Sequence, residues 1–262
     1  MKKTDKTKVR LLYLGAMECA KYRMIRTKNR EEKIRIPITA LLIRHPELGN
    51  IVYDTGVGAD WQDVLPEETQ RNFPVMDFHS LQEALAVEGL TPGDISQVIM
   101  SHLHFDHAGD LRCFAGTPAG EHILVGRAEW ERAEEAVRTG VGSGYVGVHF
   151  QHPGLHFEFV KEDRVLAENL RIFVQTSHSP ALLGLEIGRT GRPPLLCVSD
   201  AVYTRENYER ELPPDSPNPA NNAGFLENLQ RLKARQRETG AEILFGHDWE
   251  QMDDWRYLMQ CQ

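Results

Sequence analysis

The stretch Ser101–Asp110, SHLHFDHAGD, sets three imidazoles and two carboxylates within ten residues, directly after the apolar run ISQVIM. His102, His104, Asp106 and His107 carry neutral nitrogen and anionic oxygen donors, the ligand types that suit zinc and other first-row divalent ions. On a loop, HxHxDH spacing lets these side chains converge. Four such donors in six residues are more than one tetrahedral ion uses comfortably, whereas two adjacent ions can share them.

Two ions need further ligands, and the ends of other apolar runs supply candidates. His178 follows LRIFVQTS, Asp200 closes PLLCVSD and His247 closes EILFGH. If Asp200 bridges, His102, His104 and His178 complete one site, while Asp106, His107 and His247 complete the other. Each ion then keeps an open position for water or substrate, as hydrolysis requires. Asp54, in YDTG, reads as a support for the metal loop, and His45, His79, His122, His149 and His156 read as surface or hydrogen-bonded core residues. His152 falls in a segment that could wall a pocket.

Those positions depend on strands. Strand-like apolar runs recur at 9–15, 36–45, 50–56, 97–102, 122–126, 170–176, 182–188, 194–200 and 242–247, many of them apolar on both faces as in buried sheets. Helical periodicity appears over 80–95, 126–140 and 222–240; in the last, Phe225, Leu226, Leu229 and Leu232 share a face and Gly240 is a stop signal. The expectation is a layered α/β architecture with sheets inside and helices outside. Segments 16–35, 138–156 and 211–221 lack a regular period and read as long connections, where lids and pocket walls are usually made. Residues 145–150 read as a pocket wall or an edge strand; Trp61, Phe73 and Met76 are further wall candidates. Met17, Tyr22 and Met24 belong to a lid or to a solvated loop.

The 262 residues, read as one domain over 1–262, carry 30 Lys and Arg against 38 Asp and Glu, a net charge of −8 that disfavours a nucleic-acid partner. Cys19, Cys113, Cys197 and Cys261 are widely spaced, form no CxxC pair, and read as reduced thiols of a cytoplasmic protein. The apolar stretch LLYLGA near the start is too short for a signal peptide and reads as a first strand. No run of 18 apolar residues suggests a membrane span.

The order HxHxDH, a distant His, a distant Asp and a final His resembles the metallo-β-lactamase superfamily across most of residues 9–250. SHLHFDHAGD, SDAVYTRENY and ILFGHDWEQ are similar to the motifs of its N-acyl homoserine lactone lactonases. The resemblance implies a four-layer αβ/βα sandwich, two divalent ions (zinc first, with iron, cobalt or manganese as alternatives) and a bridging hydroxide that opens a small lactone. It also implies that Tyr203 contacts the lactone and assists ring opening, with Asp106 passing a proton to the leaving alkoxide. One departure is SHSPALLG, where Leu182 stands in place of a second histidine of the family's Gly-His-x-x-Gly-His. A 4-pyridoxolactonase-like hydrolase, a glyoxalase II-like thioesterase and a metal-stabilised binding module are the alternatives. Cysteine-bridged β-lactamases fit poorly with Asp200, and flavin-linked di-iron members fit poorly with His104. The expected partner is a small lactone, with neither nucleic acid nor membrane; a homodimer is admitted.

Overall fold

Successive side chains of a strand point to opposite faces, so a run that is apolar throughout must be covered on both sides. In the computed structural model, which describes residues 7–142, 144–216 and 219–260 (backbone alone for 220 and 255–260), such runs form two sheets. β1 (Lys8–Ala20), β2 (Lys33–His45), β3 (Gly49–Tyr53), β4 (Val75–Phe78), β5 (Gln97–Ile99), β6 (Ile123–Gly126) and β7 (Phe157–Val160) lie in the order β4-β1-β2-β3-β5-β6-β7. β8 (Arg164–Ala167), β9 (Leu170–Gln175), β10 (Leu182–Arg189), β11 (Arg192–Ser199) and β12 (Glu242–Phe245) form the second sheet, ordered β12-β11-β10-β9-β8.

The alternation can be read residue by residue. In β2, Leu41 and Ile43 join Leu183, Leu185, Ile187 and Leu195 in the slab between the sheets, whereas Ile38, Ala40 and Leu42 face the other way. That outer face is covered by α1 (Trp61–Val64), α2 (Glu67–Asn72), α3 (Leu81–Val87), α4 (Phe105–Ala108), α5 (Arg127–Thr139) and α6 (Gly147–Phe150), which contribute Leu81, Leu85, Ala133 and Phe150 to the core. α7 (Arg205–Arg210), α8 (Pro219–Thr239) and α9 (Trp249–Gln260) follow β11 and β12 in the chain. In β11, Leu195 and Cys197 face the first sheet while Leu196 and Val198 meet Phe225, Leu229 and Leu232 of α8. Three apolar slabs therefore separate four layers, helix, sheet, sheet, helix. Leu226, expected on the inner face of α8, is 38% exposed at its flank.

Local signals mark several helix ends. Ser80 and Glu83 form a reciprocal capping box at the start of α3, and Gly140 ends α5 in the left-handed conformation. The largest difference from the sequence reading is at 16–35. β1 runs on to Ala20 and β2 begins at Lys33, leaving only 21–32 as the connection. Gly15, at φ +131°, sits at a register shift that lets the ladder continue. A Cβ there would lie 2.1 Å from the Asp77 carbonyl oxygen of neighbouring β4. Met17 and Met24 are accordingly buried core residues. Residues 147–150 are a short helix rather than an edge strand, α8 begins at Pro219 inside a segment read as a connection, and the four-residue strands β4, β7 and β8 had no signature of their own. Cys19, Cys113 and Cys197 are free thiols; Cys261 lies outside the described residues. No helix among the described residues is long and apolar enough to cross a membrane.

Strand direction positions the site. β5 runs parallel to β3, and β9, β11 and β12 share one direction, since β10 is antiparallel to both β9 and β11 and β12 is parallel to β11. The loops that leave these C-terminal ends carry Asp54, residues 101–107, His178, Asp200 and His247.

His149, on α6, is fully buried, and neither ring nitrogen has a hydrogen-bond partner, so it is neither of the two kinds expected. Burial pushes its pKa down to about 4, partly offset by Asp60. A histidine held neutral in the fold but free to protonate near 6.5 when unfolded destabilises the fold as pH drops through that window. Between about pH 7 and pH 5 wild type should lose on the order of 2 kcal/mol more stability than His149→Gln, measured by denaturant unfolding with chelator present. Parallel pH profiles would remove His149 as the cause.

Candidate metal centre

Three of the four non-glycine residues with left-handed backbone among those described sit where strands hand over to these loops: Asp54 (φ 62°), His178 (φ 67°) and Ser199 (φ 47°). Such conformations cost on the order of 1–3 kcal/mol each and persist where surrounding bonds impose them. Asp54 shows what imposes them. Its Oδ1 accepts from the Ser101 backbone N–H (2.7 Å) and its Oδ2 from Ser101 Oγ (2.7 Å) and His107 Nδ1 (2.9 Å). The expected supporting role of Asp54 thus has a definite form, a buried carboxylate that ties β3 to the metal loop.

These bonds also assign hydrogens. Asp54 can only accept from His107 Nδ1, and the Pro37 carbonyl, 2.9 Å from His247 Nδ1, can likewise only accept. Ser101 Oγ gives its hydrogen to Asp54, so it accepts from Ser199 Oγ (3.0 Å) and from His102 Nδ1 (3.0 Å). With their Nδ1 hydrogens so engaged, His102, His107 and His247 all turn Nε2 to a common centre. His104 faces it with Nδ1 instead, 3.1 Å from His102 Nε2 and 3.0 Å from His178 Nε2, while His178 Nε2 is 3.0 Å from His102 Nε2. Donors on a tetrahedral ion with bonds of about 2.0–2.1 Å lie ~3.3 Å apart, which is close to this triangle.

Asp200 lies between two groups. Its Oδ1 is 3.2 Å from His107 Nε2 and 3.1 Å from His247 Nε2, and its Oδ2 is 3.5 Å from His178 Nε2 and 3.8 Å from His102 Nε2. Asp106 Oδ2 completes the second group, 3.5 Å from His247 Nε2 and 3.8 Å from His107 Nε2. All seven residues singled out from the sequence are thus brought together. They fall into the sets His102, His104, His178 and Asp106, His107, His247, with Asp200 facing both.

A buried lone pair facing another without a hydrogen between them is destabilising. His107 Nε2, His247 Nε2 and Asp200 Oδ1 are buried and have no hydrogen-bond partner, although they converge. A cation placed among them resolves the conflict, and the donor set fits divalent ions that accept nitrogen and oxygen. In the metal-free protein a proton can take that place in the second set, and a bound ion would displace it. Burial disfavours charge on His107 and His247, yet Asp200 and Asp106, joined at His107 by Asp54, outweigh it and raise both pKa values. Burial would raise Asp200, but His247, His107 and His178 hold it well below the usual carboxylate range. In the other set burial dominates, pushing His102 well down and His178 to about 3, so those rings stay neutral and able to ligate.

Packing allows this crowding at one glycine in particular. A Cβ on Gly246 would lie 2.7 Å from the Ser199 carbonyl carbon and 2.9 Å from Asp200 Oδ1, so only glycine lets the end of β12 approach that of β11. Tyr203, predicted near substrate, has its hydroxyl 2.7 Å from His178 Nδ1 and its ring stacked on His247 at 6.0 Å. Leu182, the departure from the family motif, is fully buried at the start of β10. The sequence reading missed Ser101, Ser199 and the Pro37 carbonyl, none of which has a ligand-like spacing. Tyr145, at the start of the segment read as a pocket wall or edge strand, packs its ring 4.5 Å from that of His104. Beside His178, Asp200 and Tyr203 opens a cavity of about 410 Å³ that also reaches Ser177, Asn222 and Phe225.

The profile described as the metallo-beta-lactamase superfamily matches residues 35–247. An N-acyl homoserine lactonase of Agrobacterium fabrum, AiiB, is 31% identical over 238 residues, covering 83% of this chain and 82% of its own. AttM of Azorhizobium caulinodans, also named an N-acyl homoserine lactonase, is 28% identical over 92% of this chain and 94% of its own. Among solved structures, a mutant of AiiA from B. thuringiensis with N-decanoyl-L-homoserine at its active site superposes with a TM-score of 0.81 at 25% identity, covering 96% of each chain. An N-acyl homoserine lactone hydrolase with N-hexanoyl-L-homoserine at its catalytic metal centre gives 0.79 at 25% identity, again over 96% of each chain.

Replacing Asp54 with alanine should free the His107 ring and weaken divalent-ion binding by about 10–100-fold. Competition against a chromophoric chelator measures this, and unchanged affinity would show that the ring needs no such brace.

Proposed function

The chain belongs to the metallo-β-lactamase superfamily, and on that premise we propose that residues 1–262 act as one hydrolase domain that opens the ring of N-acyl homoserine lactones. Two divalent ions would be held by His102, His104 and His178 and by Asp106, His107 and His247, with Asp200 shared; zinc is the first choice for these donors and iron, cobalt and manganese are the alternatives. The observation that carries the reading is Tyr203, its hydroxyl bonded to His178 of one set and its ring stacked on His247 of the other, in a chain that aligns along most of its length with lactonases.

Bound ions would supply Lewis acidity and a water that ionises near pH 7 rather than at about 15.7. The rest of the chemistry falls to the side chains. Ring opening joins a water oxygen to the lactone carbonyl carbon, breaks the bond from that carbon to the ring oxygen, and leaves one proton to be moved from the water to the departing alkoxide. With its Nε2 turned to the centre, His178 carries its hydrogen on Nδ1 and donates it to the Tyr203 oxygen. The phenol hydrogen is then free to meet the carbonyl oxygen as it gains charge. Burial, reinforced by Asp200 and Asp106, raises the Tyr203 pKa well above the normal value, which keeps that hydrogen in place at neutral pH. Asp106, 9% exposed, would carry the proton to the alkoxide. The cavity of about 410 Å³ beside these groups lies within the usual range for small-molecule sites.

The test is proton release from metal-loaded protein given short- and long-chain acyl homoserine lactones, 4-pyridoxolactone and a glutathione thioester. Chelator-sensitive opening of the homoserine lactones is expected; turnover of another panel member alone would reassign the substrate, and no turnover at all would overturn the reading. Tyr203→Phe should keep both ions and lower kcat roughly ten- to hundredfold, in line with the loss of one transition-state donor where other groups share the load. An unchanged rate would remove Tyr203 from the mechanism.

A further inference from the structure

We propose that Glu129, in the first turn of α5, is a positioning residue that holds the His102, His104 and His178 half of the metal centre in register. The inference rests on the two-ion reading above. Glu129 is 0% exposed, and a carboxylate so placed must be matched by donors. Its Oε1 accepts from the Leu103 backbone N–H at 2.8 Å, and Leu103 lies between His102 and His104. Its Oε2 accepts from Ser179 Oγ at 2.6 Å, and Ser179 follows His178. The same oxygen accepts from the Tyr145 hydroxyl at 3.1 Å. Tyr145 in turn packs its ring 4.5 Å from the His104 ring and forms a backbone bridge with His104.

One buried carboxylate is thus bonded to a neighbour of each of the three imidazoles, which come from two different loops. The other half of the centre is braced elsewhere, through Asp54 at His107 and the Pro37 carbonyl at His247. This division makes the role of Glu129 specific. A helix that merely closed the outer layer would need apolar contacts there, and α5 has them in Ala133 and Ala136. Three charge-assisted bonds aimed at the ligand loops add a fixed spacing between His102, His104 and His178 that apolar packing does not set.

The experiment is cobalt(II) titration, with visible absorption and chelator competition, in two backgrounds that each lose one ligand. In His247→Ala, where the ion is held by the three imidazoles, adding Glu129→Ala should weaken cobalt binding about 10–100-fold and alter its absorption bands. In His178→Ala, where the ion is held by the other set, the same change should leave affinity within about twofold. Glu129→Gln, which keeps one acceptor oxygen, should recover part of the loss. Equal weakening in both backgrounds, or a lower melting temperature with cobalt affinity unchanged in both, would make Glu129 a plain structural tie and overturn the proposal. Should Glu129→Ala fail to fold, Ser179→Ala combined with Tyr145→Phe removes two of the three bonds, and unchanged cobalt affinity in His247→Ala would be equally decisive. If wild type itself takes up no cobalt, the two-ion reading falls and this inference with it; if wild type binds two ions and the variants do too, only the role of Glu129 falls.

Discussion

Lone pairs that face one another across about 3 Å repel unless a hydrogen or a cation lies between them. The cleft of this protein is built on that conflict. Hydrogen bonds to Asp54, Ser101 and Pro37 engage the outward nitrogens of His107, His102 and His247 and turn the inward ones to the centre, where a proton or a cation must lie between them. Asp200 then adds its two oxygens between the groups. The fold tolerates the arrangement because the outward bonds are good and because a divalent ion would convert each repulsion into a ligand bond. Metal binding would then be coupled to local stability, and the apolar slabs must hold the loops together around a centre of like groups.

The sheets meet that demand through direction. Each contributing strand ends at the same edge, and each is buried in the slab between the sheets by residues such as Ile99, Ile172, Cys197 and Leu244. Local backbone strain is accepted at Asp54, His178 and Ser199 where the chain must turn sharply from strand to site. At Gly246 the missing side chain removes what would otherwise be a steric barrier between β12 and Asp200. The cost of each device is a few kcal/mol at most, small against the apolar burial of three core clusters.

Two carboxylates divide the bracing between them. Asp54 serves His107 directly and His102 through Ser101, whereas Glu129 reaches the neighbours of His102, His104 and His178. Both are buried, and both tie a ligand loop to an element outside it. Tyr203 sits where these loops meet, with its ring on His247 and its hydroxyl on His178, so a change in either half would move it.

The sequence was informative where the physics is local. HxHxDH on six consecutive residues, the apolar strand runs and the Gly240 stop after α8 all depend on near neighbours, and the layered architecture follows from strands apolar on both faces. His178, Asp200 and His247 were legible as strand-end residues because their types and positions stand out. The continuation of β1 and β2 through 16–20 and 33–35 was not, since Glu18, Lys33 and Arg35 interrupt the apolar pattern and only pairing between the two strands holds them in the ladder. Likewise Ser101, Ser199, Glu129 and the Pro37 carbonyl have no signature in composition or spacing. Their roles arise from contacts across 26 residues for Glu129 and Leu103, 98 for Ser199 and Ser101, and 210 for His247 and Pro37. Ligand type is a property of the side chain and is carried by the sequence; which ring nitrogen faces the centre, and what holds it there, is a property of distance between remote segments and is decided only when the sheets have packed.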